Sequence, residues 1–286
     1  MSGKRGNIRG QVATVLTHLF LTVFTLVVLT PLIWVLKLAF SGSRQGLSNL
    51  SFLPSEPTFD NFMRVVGNTS QGKWVFGHHL LNSVIVSLST TVLGIILATS
   101  AAYAFSRFRF AGRKTGLMSF LVSQMFPGVL MLIPLYVIMQ NLGLLNSLTG
   151  LIVVYSTTAI PFCVWMLKGY FDTIPKELEE SALVDGASRF TIFWKIILPL
   201  SAPAISVTAL FSFMTAWNEF LLAYTFMTDP LSFTLPVQIQ QYFGEQKVEW
   251  ELFAASSVIV SIPVMVLFYA LQKHLAGGLT AGSVKG

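Results

Sequence analysis

The sequence predicts an all-α, polytopic membrane protein with six transmembrane helices and a helical elbow in one connecting segment. Three observations carry that reading. Hydrophobic residues make up 53% of the chain and charged residues 10%, against about 25% charge in a soluble domain. Mean hydropathy is +0.70. Apolar runs long enough to cross a bilayer, about 20 residues each, recur at about 12–38, 80–105, 115–141, 148–170, 201–227 and 252–273. Residues 1–286 thus read as a single transmembrane domain, with an elbow at 172–199 and a tail at 274–286.

The first span follows Lys4, Arg5 and Arg9, a pattern shared with secretory signals. Its apolar run, Val12 to Phe40, far exceeds the 7–15 residues of a signal core, so it reads as an uncleaved span. With the N-terminus in the cytoplasm, only Lys37, Arg44, Arg64, Lys73 and Lys247 among the 18 lysines and arginines face outward. The positive-inside rule therefore places both termini and the elbow in the cytoplasm. The same distribution explains the pI near 9.5 and argues against nucleic acid, because no basic stripe with aromatics occupies a soluble segment. Cys163 stands alone and forms no internal disulfide.

Between the first two spans, Gly67 to Lys73 matches most of a phosphate-binding loop. It fails at Trp74, where a hydroxyl should hold magnesium, and no apolar strand precedes it. His78 and His79 lack further convergent ligands and read as a solvated or interfacial pair, not a metal site. No nucleophile–base arrangement stands out, so no residue is assigned as catalytic and no metal is expected. Within the spans, Pro31, Pro127, Pro134, Pro161, Pro203 and Pro263 each remove a backbone donor and are expected to kink their helices.

The elbow lies between the fourth and fifth spans. Asp172, Thr173 and Pro175 form a helix-start signal, and Glu177, Glu179 and Glu180 follow in the first turn, where negative charge complements the helix dipole. Gly186 suits a chain reversal. Ser188 can cap a second short helix with an apolar face of Phe190, Ile192, Phe193, Ile196 and Ile197, and Leu198-Pro199 delivers the chain into the fifth span. The product is an amphipathic helix pair with an acidic and apolar face toward the cytosol, suited to transmitting motion from a soluble partner. Further on, Trp217-Asn218-Glu219 puts an acid and an amide within or near hydrocarbon. Such an acid is expensive there and faces protein or a water-filled cavity. It either lines a path or bonds between helices. Gln124 is a further candidate for a path or, like Asn82, a polar helix-packing contact.

Glu180-Ser181-Ala182, three residues, Gly186, nine residues, Ile196, one residue, and Leu198-Pro199 resemble the EAA motif of binding-protein-dependent ABC importer permeases. Ser181 is the one departure, where the family has alanine; a small residue there should preserve close helix packing. Ala101 to Arg107 and Gln124-Met125-Phe126-Pro127 are similar to the family's second and third spans, and the tail Gly278 to Gly286 resembles the maltose/maltodextrin type.

That resemblance implies an ATP-driven importer in a bacterial inner membrane. A homologous permease subunit would complete a heterodimer around a sugar path, and two copies of a cytosolic ATPase, holding ATP and magnesium, would receive the elbows. A periplasmic sugar-binding protein would deliver maltose or maltodextrin. Glu180, Ser181, Ala182, Gly186, Ile196, Leu198 and Pro199 then become the coupling residues, and Thr280, Gly282 and Lys285 of the tail a second ATPase contact. Gln238, Gln240, Gln241, Tyr242 and Phe243, in the outer segment, would meet the binding protein. Catalysis would reside on the ATPase, not on this chain. The rival reading is an ion-coupled secondary transporter, but no internal repeat is visible, and Glu219 is the only carboxylate within the spans.

Overall fold

In lipid every backbone amide must find a partner inside the protein, and helices meet that need segment by segment. The computed structural model describes residues 3–42, 51, 53–54, 56–70, 72–244 and 248–281. Arg44, Lys247, Gly282 and Lys285 lie outside the described residues. The chain forms α1 (Gly3–Ala39), α2 (Asp60–Val66), a small antiparallel hairpin of β1 (Thr69–Ser70) and β2 (Lys73–Trp74), and α3 (Val75–Arg107). Next come α4 (Arg113–Met125), α5 (Gly128–Asn141), α6 (Leu148–Phe171), α7 (Glu177–Val184) and α8 (Arg189–Ile192). A π-helical turn (Phe193–Ile197) leads through α9 (Leu198–Leu200) into α10 (Ala202–Trp217). Finally come α11 (Leu221–Phe226), a 3-10 turn (Pro230–Ser232), α12 (Leu235–Gln240) and α13 (Trp250–Ala281).

Four of these helices, α1, α3, α6 and α13, are long and apolar enough to cross a membrane without interruption. The third expected span is broken: α4 and α5 meet at 105°. The expected fifth span, 201–227, is two helices, α10 and α11, separated at Asn218–Phe220, and α10 itself turns 78° from the elbow segment before it. The expected sixth span, 252–273, is longer, because α13 carries the chain to Ala281 and so includes the backbone of Thr280.

The prolines divide by position. Pro31, Pro134, Pro161 and Pro263 sit inside continuous helices. Pro203 occupies the first turn of α10, where its missing N–H has no intrahelical partner to lose. Pro203 thus follows the 78° bend, while Pro127 stands at the 105° break itself, and there Phe126 is extended, as the residue before a proline tends to be. The stretch that mimics a phosphate loop contributes to the β1–β2 hairpin, with Gly72 at φ 74.

Packing divides the chain into two units. The first comprises residues 1–68 and 241–260. In it Asn61 is buried and donates to the carbonyls of Ala39 and Ser41 at 3.0 and 2.9 Å, tying α2 to the end of α1. Phe40 packs on Phe59 and Phe62, and Phe243 packs on Trp250 and Phe253.

The second unit comprises residues 69–240 and 261–286, and its centre is the packing of α3, α6 and α10. Small side chains bring these helices together, as in membrane bundles generally. Ala98, Ala102, Ala159 and Cys163 are buried in one apolar cluster with Ile192 and Ile197 of the elbow. A Cβ added at Gly94 would lie 3.2 Å from Ser212 Oγ, so glycine permits the α3–α10 approach there. A second cluster, with Val86, Leu151, Tyr155 and Phe226 among its members, fills the other end of the bundle.

Candidate functional site

The elbow begins where α6 stops. Lys168, in the last turn of α6, bonds Asp172 at 2.5 Å, and Ser106 of α3 donates to the same carboxylate at 2.6 Å. Burial pushes the Asp172 carboxyl up, but those hydrogen bonds and the charges of Lys168 and Arg107 outweigh it and hold it below the usual carboxylate value. Helix α7 starts at Glu177, so Pro175 precedes the helix instead of occupying its first turn.

Helix α7 ends in a Schellman motif. Ala187 N–H donates to Ala182 O at 2.9 Å and Gly186 N–H to Leu183 O at 3.0 Å. The motif requires a left-handed residue, and Gly186 supplies it at φ 83. Ser188 then caps α8, accepting from the Thr191 N–H at 3.1 Å. Pro199 offers no N–H to Lys195 O, and the turn before it widens into the π form.

The inner face of the elbow is held by α3. Glu179 is 5% exposed; it accepts from the Tyr103 hydroxyl at 3.0 Å and pairs with the Arg107 guanidinium. Arg107 also donates to Ile174 O at 3.0 Å and to Ser106 Oγ at 3.2 Å. The Phe193 ring packs 5.0 Å from Tyr103, and Arg189 lies over Phe108. The expectation that the acids of α7 simply face outward is therefore corrected for Glu179, which turns inward to satisfy a buried arginine.

The outer face is apolar. Val184 is 88% exposed and Phe190 73%, and the Phe190 and Trp194 rings stand 6.0 Å apart, one helical turn separated. Of the expected apolar face, Phe190 stands open, while Ile192 and Ile197 fill the contact with α3 and α6. Glu180, Ser181 and Pro199 are exposed with it, whereas Ala182 and Ile196 pack partly against the core and Leu198 is half-buried. Ser181 is exposed among the described residues, so close packing within the elbow does not explain a small residue there.

At the opposite end of the bundle, Glu219 finds its partner. Tyr155 of α6 donates to it at 2.6 Å, and the N–H groups of Leu222 and Ala223 donate at 2.8 and 3.1 Å, so the carboxylate caps α11. Trp217 is buried and stacked on Phe213. Asn218 remains exposed. Gln124 is exposed and donates to Thr158 O at 3.0 Å. Asn82 holds Leu231 O and Phe233 O at 2.9 and 3.0 Å. His79 is buried, with Nε2 2.6 Å from Pro230 O, so of the two alternatives, solvated or interfacial, it is not solvated; His78 is exposed. Gln238 is 4% exposed within α12, so among the glutamines expected to meet a partner only Gln240 and Gln241 present open side chains. Tyr242 and Phe243 are half-buried.

Sequence reasoning missed the ring of Tyr103, Ser106, Arg107, Asp172 and Glu179. Two local signals existed: the tandem Glu179-Glu180, and Lys168 four residues before Asp172. The pairing of Arg107 with Glu179 crosses 72 positions, and no local pattern encodes it.

Comparison with known proteins agrees with this architecture. The model of the family described as binding-protein-dependent transport system inner membrane component matches residues 90–280. The maltodextrin transport system permease protein MdxG of Bacillus subtilis is 37% identical, over 94% of this chain and 95% of the relative. The galactooligosaccharides transport system permease protein GanQ of the same organism is 38% identical, over 98% of each. In fold, the chain is similar to one in the crystal structure of a bacterial ABC transporter involved in import of the acidic polysaccharide alginate. The TM-score is 0.77 at 24% identity, covering 96% of this chain and 98% of that one. Membership of this family sets aside the ion-coupled transporter. The chain belongs to the inner membrane components of binding-protein-dependent transport systems, permease subunits of ABC importers that are not themselves enzymes.

Proposed function

We propose that this permease imports oligosaccharides, maltodextrin foremost, and that the elbow at 172–199 docks on a cytosolic ATPase. The observation that carries the docking is the elbow's two-sidedness. Its inner face is fixed by buried ion pairing to α3, while its outer face offers Val184, Phe190 and Trp194 beside Glu180. An exposed apolar cluster on a rigid support suits a protein partner. The relatives' names span maltodextrin and galactooligosaccharides, and the tail's resemblance favours maltodextrin.

In this reading 1–286 works as one transmembrane domain with both termini in the cytoplasm. A homologous permease completes the path, to which Asn218 and Gln124 contribute exposed amides. ATP and magnesium bind the two ATPase copies. Thr280, Gly282 and Lys285 of the tail supply a second contact there, and Gln240 and Gln241 face a periplasmic binding protein. ATP shifts the assembly only by favouring one state over the other.

The test is purification from the native membrane, followed by uptake with a panel of sugars in a strain lacking this gene. Co-purification with an ATPase and loss of maltodextrin uptake support the proposal. Recovery of the chain without an ATPase would refute the docking, and loss of a different sugar would refute the substrate.

A further inference from the structure

We propose that Arg107 and Glu179 are positioning residues that bind α7 to the end of α3, so that displacement of the elbow is delivered to a membrane span instead of being absorbed in the connecting chain. The inference rests on the docking reading above and names the residues through which docking would act.

The covalent routes out of the elbow are poorly suited to carrying a push. On one side the chain from Asp172 to Lys176 is a non-helical turn. On the other, a π turn is followed by a 78° bend at Ser201. π turns inside helices mark positions where the backbone departs from its most regular packing. Helix α3 is remote in sequence, yet its last residue reaches the elbow at several points. The Arg107 guanidinium donates through Nε to Glu179, through one terminal nitrogen to Ile174 O, and through the other to Ser106 Oγ. A planar group held by all three of its nitrogens fixes direction as well as distance, which a lysine ammonium cannot reproduce.

The environment adds to the argument. The Arg107 and Glu179 side chains are 4% and 7% exposed, so water competes little for the contacts. A buried ion pair is weak evidence for stability, since apolar residues of similar volume often serve as well. What the pair supplies is a defined geometry. Tyr103 reinforces it from the preceding turn of α3, and Ser106 extends it to Asp172.

Helix α3 then leads somewhere. Its 33 residues extend about 50 Å at 1.5 Å per residue. Near its far end His79 and Asn82 hold the carbonyls of Pro230, Leu231 and Phe233, and Ser83 accepts from the Leu235 N–H at 2.7 Å. One rigid element thus joins the elbow to the segment after α11.

The experiment reconstitutes the complete importer, with ATPase and binding protein, and measures sugar transported per ATP hydrolysed. Glu179→Gln keeps the shape and removes the charge; Arg107→Lys keeps the charge and removes the fork. Both variants are expected to co-purify with the ATPase and to hydrolyse ATP, while sugar moved per ATP falls about fivefold or more, the lower end of typical coupling factors. Transport and hydrolysis falling in proportion, with the ratio unchanged, would mean a purely structural role and overturn the proposal. If either variant fails to accumulate, Tyr103→Phe, which removes one hydroxyl, decides by the same ratio: a lowered ratio supports the tie and a wild-type ratio overturns it. Failure of the unaltered chain to bind an ATPase sinks the docking reading instead, so the two failures are distinguishable.

Discussion

Tyr155 donates its hydroxyl to the Glu219 carboxylate at 2.6 Å, joining α6 to the break that follows α10. The acid that the sequence leaves without a partner is thus an inter-helix contact and the cap of α11 at once. Polar contacts between membrane helices are worth about 0.6 kcal/mol on average and about 1.7 at most. Tyr155→Phe should therefore cost about 1 kcal/mol in unfolding stability. Glu219→Ala also strips the acceptor from two N–H groups and should cost more, about 2–3 kcal/mol. Reversible unfolding in mixed micelles measures both, and equal costs would contradict the double role of Glu219.

Gly186 tests the elbow's turn. A Cβ there would meet nothing within 4 Å, so bulk is not the constraint; the positive φ is. An L-residue held in that region costs about 1–2 kcal/mol, and asparagine tolerates it best. Gly186→Asn should keep near-normal sugar uptake. Gly186→Pro cannot adopt the angle and also loses the N–H donated to Leu183 O. It should abolish uptake while leaving the chain in the membrane. Uptake assays with membrane quantification separate the outcomes, and normal uptake by the proline variant would refute the role of the turn.

The outer face of the elbow should matter to a partner and not to folding. Phe190→Ser and Trp194→Ser remove exposed rings and should change stability by no more than about 0.5 kcal/mol. If these rings are interface anchors, each should weaken ATPase binding by about tenfold or more. Binding of purified ATPase to the immobilised permease in detergent reports this. Unchanged affinity with both rings removed would place the docking surface elsewhere.

Asp172 makes the elbow's attachment pH-dependent. Its folded carboxyl lies below the usual carboxylate value, so its contribution is present above the unfolded value of about 3.9 and is lost as pH falls through the lower folded one. Wild type should melt above Asp172→Asn at neutral pH, and the gap should close only below about pH 4. Thermal unfolding of the pair across a pH series reads this directly. A gap already gone near about pH 6 would contradict a depressed carboxyl.

How much of this was legible follows the range of each interaction. The spans were readable because lipid imposes a local rule on every stretch of about 20 residues. The two helices of the elbow were readable because a left-handed glycine at Gly186 and a capping hydroxyl at Ser188 act over a few positions. Pro127 was visible as a proline but not as a 105° break, since Pro134 and Pro161 carry the same signal and leave α5 and α6 continuous. Which residues of the second helix's apolar face are covered and which stay open was hidden for a related reason. Periodicity shows that a helix has an apolar side, and it cannot say that Ile192 and Ile197 already fill the space available.

The sequence by itself determined the membrane class, the approximate number of spans, the place and pattern of the elbow, and through its motif the family. Each depends on composition, local periodicity or short spacing, which survive without knowledge of the fold. Tertiary structure alone decided that Glu179 turns inward to Arg107, that Glu219 meets Tyr155, that Gln238 and His79 are buried, and which face of the elbow stays open. A buried charge or amide takes whatever partner the packed helices bring within reach, and that partner is set by the assembly of α3, α6 and α10, not by neighbours in the chain.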